Sequence, residues 1–139
     1  MNNELCFLIE NKTLHLNKVL VAFNEFPIFF ICTDDLGDYY IALCIDIEDS
    51  QYYIVKCPLR SLHQMLTGKI EMRVPFTSAD YFWYVKAGKS VEEDQVVQRE
   101  IKHLNLDDLP YPNAYYKTIT TEDIEYVSQI TKQIGTEGI

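Results

Sequence analysis

The segment from Asp38 to Ile47 constrains the fold more than any other part of the chain. In an extended strand its alternating side chains form two apolar rows, Tyr39, Ile41, Leu43 and Ile45 on one face and Tyr40, Ala42 and Cys44 on the other. A strand that is apolar on both faces belongs in the middle of a sheet that is covered on both sides. The sequence therefore predicts a central strand with packing against each face.

Neighbouring segments predict the strands that flank this one. Residues 18–23 and 28–33 are rich in β-branched and aromatic side chains, and we expect them to form the first and second strands. Asp34-Asp35-Leu36-Gly37 predicts a hairpin turn whose glycine adopts the left-handed conformation. Glu48-Asp49-Ser50 predicts the next turn, and residues 51–57 predict a returning strand, which completes a meander.

Two later segments have the three- and four-residue spacing of helices. Pro58 fits the first turn of one helix, which places Leu59, Leu62, Met65 and Leu66 on one face before Gly68 ends it. The other begins near Thr121, with Thr120 or Thr121 as its N-cap. Its predicted apolar face is Ile124, Val127, Thr131 and Ile134, and we expect it to end at Gly135.

The remaining segments complete an α+β domain. Residues 81–87 predict an aromatic strand, residues 95–104 predict a weaker one, and residues 70–76 fit either a strand or a helical turn. We therefore predict an antiparallel sheet of about five strands, a helix packed on it after the meander, and a C-terminal helix. Residues 1–139 form one domain, with a sheet-plus-helix core over 1–117 and a helical tail over 118–139 that packs either on the core or on a partner.

The middle of the chain resembles an uncharacterised domain family of bacteria and their phages, over roughly residues 14–116. The matching positions are Pro27-Ile28-Phe29-Phe30, Asp34, Gly37, Tyr40, Ala42-Leu43, Asp46, Tyr53, Val55, Ser61, Leu66, Gly68, Ile70, Arg73, Phe76 and Tyr84-Val85. Nearly all are core or turn positions. The resemblance therefore implies the fold and a role in bacterial or mobile-element biology, and it assigns no catalytic residue.

The charge of the chain limits its partners. Twenty-one Asp and Glu against twelve Lys and Arg give a net charge of −9, which disfavours direct nucleic-acid binding and anionic lipid. The longest near-apolar run, residues 19–32, is interrupted by polar residues and proline, so no membrane segment is predicted. Because no secretory leader is recognisable, we expect a cytoplasmic protein in which Cys6, Cys32, Cys44 and Cys57 are free thiols.

Residues that carry chemistry are scattered. His15, His63 and His103 stand apart from any nucleophile motif and from other metal ligands at zinc spacing. The isolated glycines form no phosphate-binding loop. We therefore predict no catalytic residue, no metal and no cofactor, with a small enzyme using a carboxylate pair and a tyrosine as one alternative.

Acidic turns and tyrosines favour contact with another protein. The chain has ten tyrosines, and its carboxylates recur in pairs within predicted turns. We expect the partner-binding residues to be the acids of three loops and one nearby aromatic ring: Asp34, Asp35, Asp38, Glu48, Asp49, Tyr52, Glu92, Glu93 and Asp94.

These features predict a non-enzymatic acidic binding module. We expect a phage or mobile-element inhibitor or regulator of a basic host protein, for which a nucleic-acid-handling defence effector of the CRISPR type is one target. An immunity or antitoxin-like partner of a toxin has the same composition and is the main alternative. A homodimer formed through the C-terminal helix is a further alternative.

Overall fold

The computed structural model describes residues 4–137, with side chains through residue 135, as one seven-stranded antiparallel sheet with three helices. The strands follow one another in sheet order: β1 Leu5–Ile9, β2 Lys12–Phe23, β3 Phe26–Thr33, β4 Tyr39–Asp46, β5 Gln51–Lys56, β6 Tyr81–Lys86 and β7 Gln95–Glu100. The helices are α1 Leu59–Leu66, α2 Val74–Thr77 and α3 Thr121–Glu137. The α+β class and the C-terminal helix are confirmed, and the count of about five strands is wrong.

The sequence signal was weakest in the first hairpin. Here β1 pairs with the first part of β2 through a two-residue turn, Glu10-Asn11, in which both residues have positive φ, 50° and 68°. The predicted strand at 18–23 is the second half of β2, and another two-residue turn of the same kind, Asn24-Glu25, leads into β3. Glutamate is not a typical residue for such turns, which usually contain Asn-Gly or Asp-Gly. The polar residues therefore resembled loops.

The sheet curls into a half-barrel, and this curl covers one face of β4. Across the concave side, the ring of Phe7 on β1 lies 5.1 Å from that of Tyr52 on β5. The indole N–H of Trp83 on β6 donates to the Glu10 carboxylate at 2.6 Å. The central strand is therefore apolar on both faces because the sheet's own first strand supplies one of the two predicted layers.

The helices cover the convex face. Leu62, Met65 and Leu66 of α1 are buried against side chains from β3, β4 and β5, as their spacing predicts. Residues 70–76, which fitted a strand or a helical turn, end in the short helix α2, so the helical alternative holds for the last three of them. The weaker strand expected over 95–104 ends at Glu100, after which the chain forms a 3₁₀ turn over Ile101–His103.

Helix α3 packs on this convex core with part of its predicted face: Val127 and Ile134 contact the core, whereas Ile124 and Thr131 are exposed. Ile130 is its most buried residue, 1% exposed, whereas Ile124 is 55% exposed. The Lys18 ammonium bonds the Asp123 carboxylate at 2.8 Å and fixes the first turn against β2. Thr120 caps the helix by accepting the Asp123 N–H. The expected end at Gly135 is wrong: the helix continues to Glu137, because glycine inside a helix costs only about 1 kcal/mol.

Candidate protein-binding surface

The meander places its turns alternately at the two ends of the sheet, and this separates the predicted binding residues. The turn between β3 and β4 lies at one end. The turns between β4 and β5 and between β6 and β7 lie at the other. Because the eight residues of β4 span about 25 Å at roughly 3.4 Å per residue, the two groups of acids lie at opposite ends of the sheet.

Five predicted acids meet at one end, which we call the acidic end: Glu48, Asp49, Glu92, Glu93 and Asp94. The two turns that carry them are neighbours, since β5 pairs with β6 and the Ala87 N–H donates to the Ser50 carbonyl at 2.9 Å. All except the half-buried Asp94 are exposed. Within residues 4–135 these carboxylates form no ion pair. Their negative charge is therefore presented to solvent, beside the exposed Lys86 and Lys89.

Gly88 holds the second of these turns in place. Its N–H donates to the Asp94 carboxylate at 2.7 Å. A Cβ at position 88 would lie 2.7 Å from the Cβ of Glu93 and 2.8 Å from its carbonyl oxygen, closer than atoms pack. Partial burial, together with the charge of Glu92, raises the pKa of the Asp94 carboxyl despite the Gly88 hydrogen bond. The acidic turn is thus packed against the end of β6.

Tyr52 lies beside the acidic end, inside the mouth of the half-barrel. Its ring packs edge-on against Phe7 and Phe30, with centroid distances of 5.1 and 6.2 Å. Burial raises its pKa to about 12. It shares a cleft of about 190 Å³ with Cys6, Pro27 and Ala87. The ring therefore belongs largely to the core, with one edge towards the cleft.

The acids at the opposite end are held by contacts within the chain. Asp34 is only 7% exposed, and its carboxylate accepts the Tyr40 hydroxyl at 2.8 Å and the N–H groups of Leu36 and Asp38. Asp35 accepts the Thr13 hydroxyl at 2.8 Å, and Asp38 pairs with Lys56 at 3.1 Å. These three residues therefore make contacts within the chain, at the end of the sheet opposite the acidic end.

Tyrosines contribute less surface than the composition suggested. The doublets Tyr39-Tyr40 and Tyr52-Tyr53 send one ring to each face of the sheet, as predicted for strands. Several tyrosine hydroxyls donate hydrogen bonds within the chain. Three of them donate to aspartate carboxylates: Tyr40 to Asp34, Tyr53 to Asp108, and Tyr116 to Asp123. Sequence reasoning missed these pairs, because each joins residues whose proximity depends on the fold.

A surface cleft of about 560 Å³ contains several polar side chains. It lies between α1, α2 and β6, and Ser61, Ser78 and Asp80 are among its lining residues. None of the three histidines lines it. His63 Nε2 instead lies 3.1 Å from Thr131 Oγ1, between α1 and α3 and outside this cleft.

Cys6 and Cys32 are hydrogen-bonding neighbours, and the other candidate ligands are dispersed. Cys32 lies opposite Tyr40 in the β3–β4 register, and the four cysteines are free. Among residues 4–135, no three His, Cys, Asp or Glu side chains converge as metal ligands would. In the described part of the chain, no helix has the length and apolar character needed to cross a bilayer.

No family model matches the chain, and neither the curated proteins nor the solved structures include a match.

Proposed function

We propose that the protein is a non-enzymatic binding module that binds a basic protein through its acidic end. The observation that carries this proposal is the meeting of five carboxylates from two adjacent turns without ion pairs among the described residues. A surface of this kind attracts a positively charged partner over a distance and then contacts it directly.

The partner that fits best is a basic protein that handles nucleic acid. A groove that binds phosphates presents clustered Lys and Arg, which an array of carboxylates contacts in place of phosphate. A phage or mobile-element inhibitor of a defence effector is the biological role that we propose, in line with the resemblance of residues 14–116. The net charge of −9 supports it, since a large negative charge speeds encounter with such a partner.

The experiment is affinity capture from bacterial lysate with the full chain, followed by mass spectrometry of the bound proteins. Two double variants separate local charge from total charge. Glu92→Lys/Glu93→Lys changes the acidic end, and Asp80→Lys/Glu125→Lys changes exposed acids elsewhere. Each pair adds four charges and takes the net charge from −9 to −5.

We expect a basic protein to be captured by the wild type and by the Asp80/Glu125 variant. The Glu92/Glu93 variant should retain less than about a tenth of it, since a reversed charge turns attraction into repulsion at the contact. Equal capture by all three proteins would show that the acidic end is not the binding surface.

A further inference from the structure

Strand β7 leaves one edge of the sheet open. Its six residues pair in regular register with all six of β6, and no other described strand pairs with its outer side. Five of its side chains are exposed, and only Val96 packs towards the concave core. In an antiparallel pair every second residue directs its N–H and C=O outward, so β7 presents a row of unpaired backbone groups that another strand can pair with.

The opposite edge of the sheet differs. The pairing of β1 with β2 is irregular between Leu5 and Phe7, and β1 lies against the 3₁₀ turn Val91–Glu93. Irregular pairing and a covering turn are devices that protect an edge from strand addition. Strand β7 contains no proline and no irregularity in its register with β6, so it is the better template of the two.

An apolar row on the convex face ends at this open edge. The pairing register aligns the neighbouring residues Phe29, Leu43, Tyr53, Tyr84 and Val97 across five strands. Val97 is the last and is 43% exposed. The residue of an added strand that lies opposite Val97 would extend the row, and a β-branched side chain fits that position best.

Charged side chains of opposite sign lie towards the two ends of β7 and would orient an added strand. The acids Glu92, Glu93 and Asp94 immediately precede Gln95 at one end of β7, whereas Arg99 lies on the same face as Val97 towards the other end. In an antiparallel addition, the residue two positions after the one opposite Val97 lies opposite Gln95, and the residue four positions after it extends past the end of β7 towards the turn that carries Glu92, Glu93 and Asp94. Basic residues at these two positions approach the acids and avoid the Arg99 guanidinium.

We propose that the basic partner docks as an extended strand on the free edge of β7. The segment carries a β-branched apolar residue opposite Val97 and Lys or Arg two and four residues later. This inference rests on the proposed function, because the same acids attract the partner. Backbone hydrogen bonds and the apolar row fix the position of the segment, and the carboxylates select its charge and direction.

The test uses the full chain and a labelled peptide, Thr-Val-Thr-Lys-Thr-Lys, blocked at both termini, with binding followed by fluorescence anisotropy. Two N-methylated forms keep its charge: one is methylated at Val and the first Lys, the other at the second and third Thr. Only one of these sets directs its N–H groups towards β7. A peptide with the same composition and the order Lys-Lys-Thr-Thr-Thr-Val is the control for charge alone.

We expect saturable binding of the parent peptide, shifts of the backbone amide resonances of residues 95–100, and roughly tenfold or greater weakening by one methylated form only. The control peptide should bind at least about tenfold more weakly than the parent. No binding at about 1 mM peptide, or equal affinity of the two methylated forms, would overturn strand addition.

The same titration separates this inference from the proposed function. If Glu92→Lys/Glu93→Lys weakens the peptide but both methylated forms bind equally, the acidic end stands and strand addition fails. If the methylated forms differ but charge reversal has no effect, strand addition stands and the electrostatic proposal fails.

Discussion

At the scale of single residues, tyrosine–aspartate hydrogen bonds organise much of the polar interior. Asp34 shows the principle: burial opposes its ionisation, but the Tyr40 hydroxyl and the N–H groups of Asp38 and Leu36 hold its pKa below the usual range. Burial and the facing carboxylate in turn raise the pKa of Tyr40, so the phenol stays protonated and donates. Part of the acidic and tyrosine-rich composition therefore serves the fold.

Removing the Tyr40 hydroxyl should show how much the Tyr40–Asp34 hydrogen bond stabilises the fold. Tyr40→Phe takes a donor from a carboxylate that is 7% exposed, and we expect the free energy of unfolding to fall by about 1.5–3 kcal/mol. The measurement is urea denaturation at neutral pH. Tyr81→Phe is the matched control, since Tyr81 is exposed and its hydroxyl makes no hydrogen bond within residues 4–135. An equal loss in the two variants would contradict the assignment.

Acid should remove the stabilisation that a second, partly buried carboxylate, that of Asp123, gives to the fold. Asp123 is partly desolvated, yet its bonds to Lys18, Tyr116 and Thr120 hold its pKa below the usual range. Because the folded pKa is depressed, the stabilisation is present above the unfolded pKa of about 3.9 and is lost as pH falls through the folded pKa.

We expect Asp123→Asn to be less stable than the wild type at pH 7, with the difference shrinking as pH falls below about 4. Urea midpoints between pH 7 and pH 3 provide the measurement, and Asp80→Asn is the control. A difference that is constant over this range, or that grows in acid, would show that the Asp123 charge is not stabilising.

At the scale of elements, α3 shows what periodicity alone leaves undetermined. The spacing of Ile124, Val127, Thr131 and Ile134 located the helix and two of its core residues, Val127 and Ile134. It missed the buried Ile130 and included the exposed Ile124, so the buried face is rotated away from Ile124. Polar contacts fix this rotation. Asp123 meets Lys18, and the Tyr39 hydroxyl donates to Gln133, so the face between these positions is the one that docks.

Two isoleucine truncations test this orientation. Ile130→Ala empties a site that is 1% exposed and should cost roughly 2–5 kcal/mol of unfolding free energy. Ile124→Ala removes the same atoms from a side chain that is 55% exposed and should cost about 0.5 kcal/mol. Thermal or urea unfolding distinguishes the two, and a larger loss for Ile124→Ala would restore the face predicted from the sequence.

The acidic turn has its own test at Gly88. Gly88→Ala forces the new Cβ against the Glu93 backbone, so we expect a loss of about 1–3 kcal/mol in unfolding free energy and weaker partner capture. Gly135→Ala is the control, because nothing lies within 4 Å of its Cβ position and alanine favours a helix. Wild-type stability and capture in Gly88→Ala would mean that the turn is not held by this contact.

At the scale of the whole molecule, the sequence predicted the central meander and its helix but not the curl. The apolar rows of residues 38–47 required two covering layers, and nothing local in Leu5–Ile9 identified it as the strand that crosses the concave face. The sequence correctly predicted the turns at residues 34–37 and 48–50. Their division between two ends follows from strand count and direction, which composition does not contain.

The central claim is that the carboxylates of the acidic end drive association with a basic partner. The most direct measurement is the dissociation constant of the captured partner over a series of salt concentrations, for the wild type and the two double variants. We predict that wild-type and Asp80→Lys/Glu125→Lys affinities fall steeply with salt, and that Glu92→Lys/Glu93→Lys binds weakly with a shallow dependence. Dissociation constants that do not change with salt concentration and are equal in all three proteins would contradict the claim.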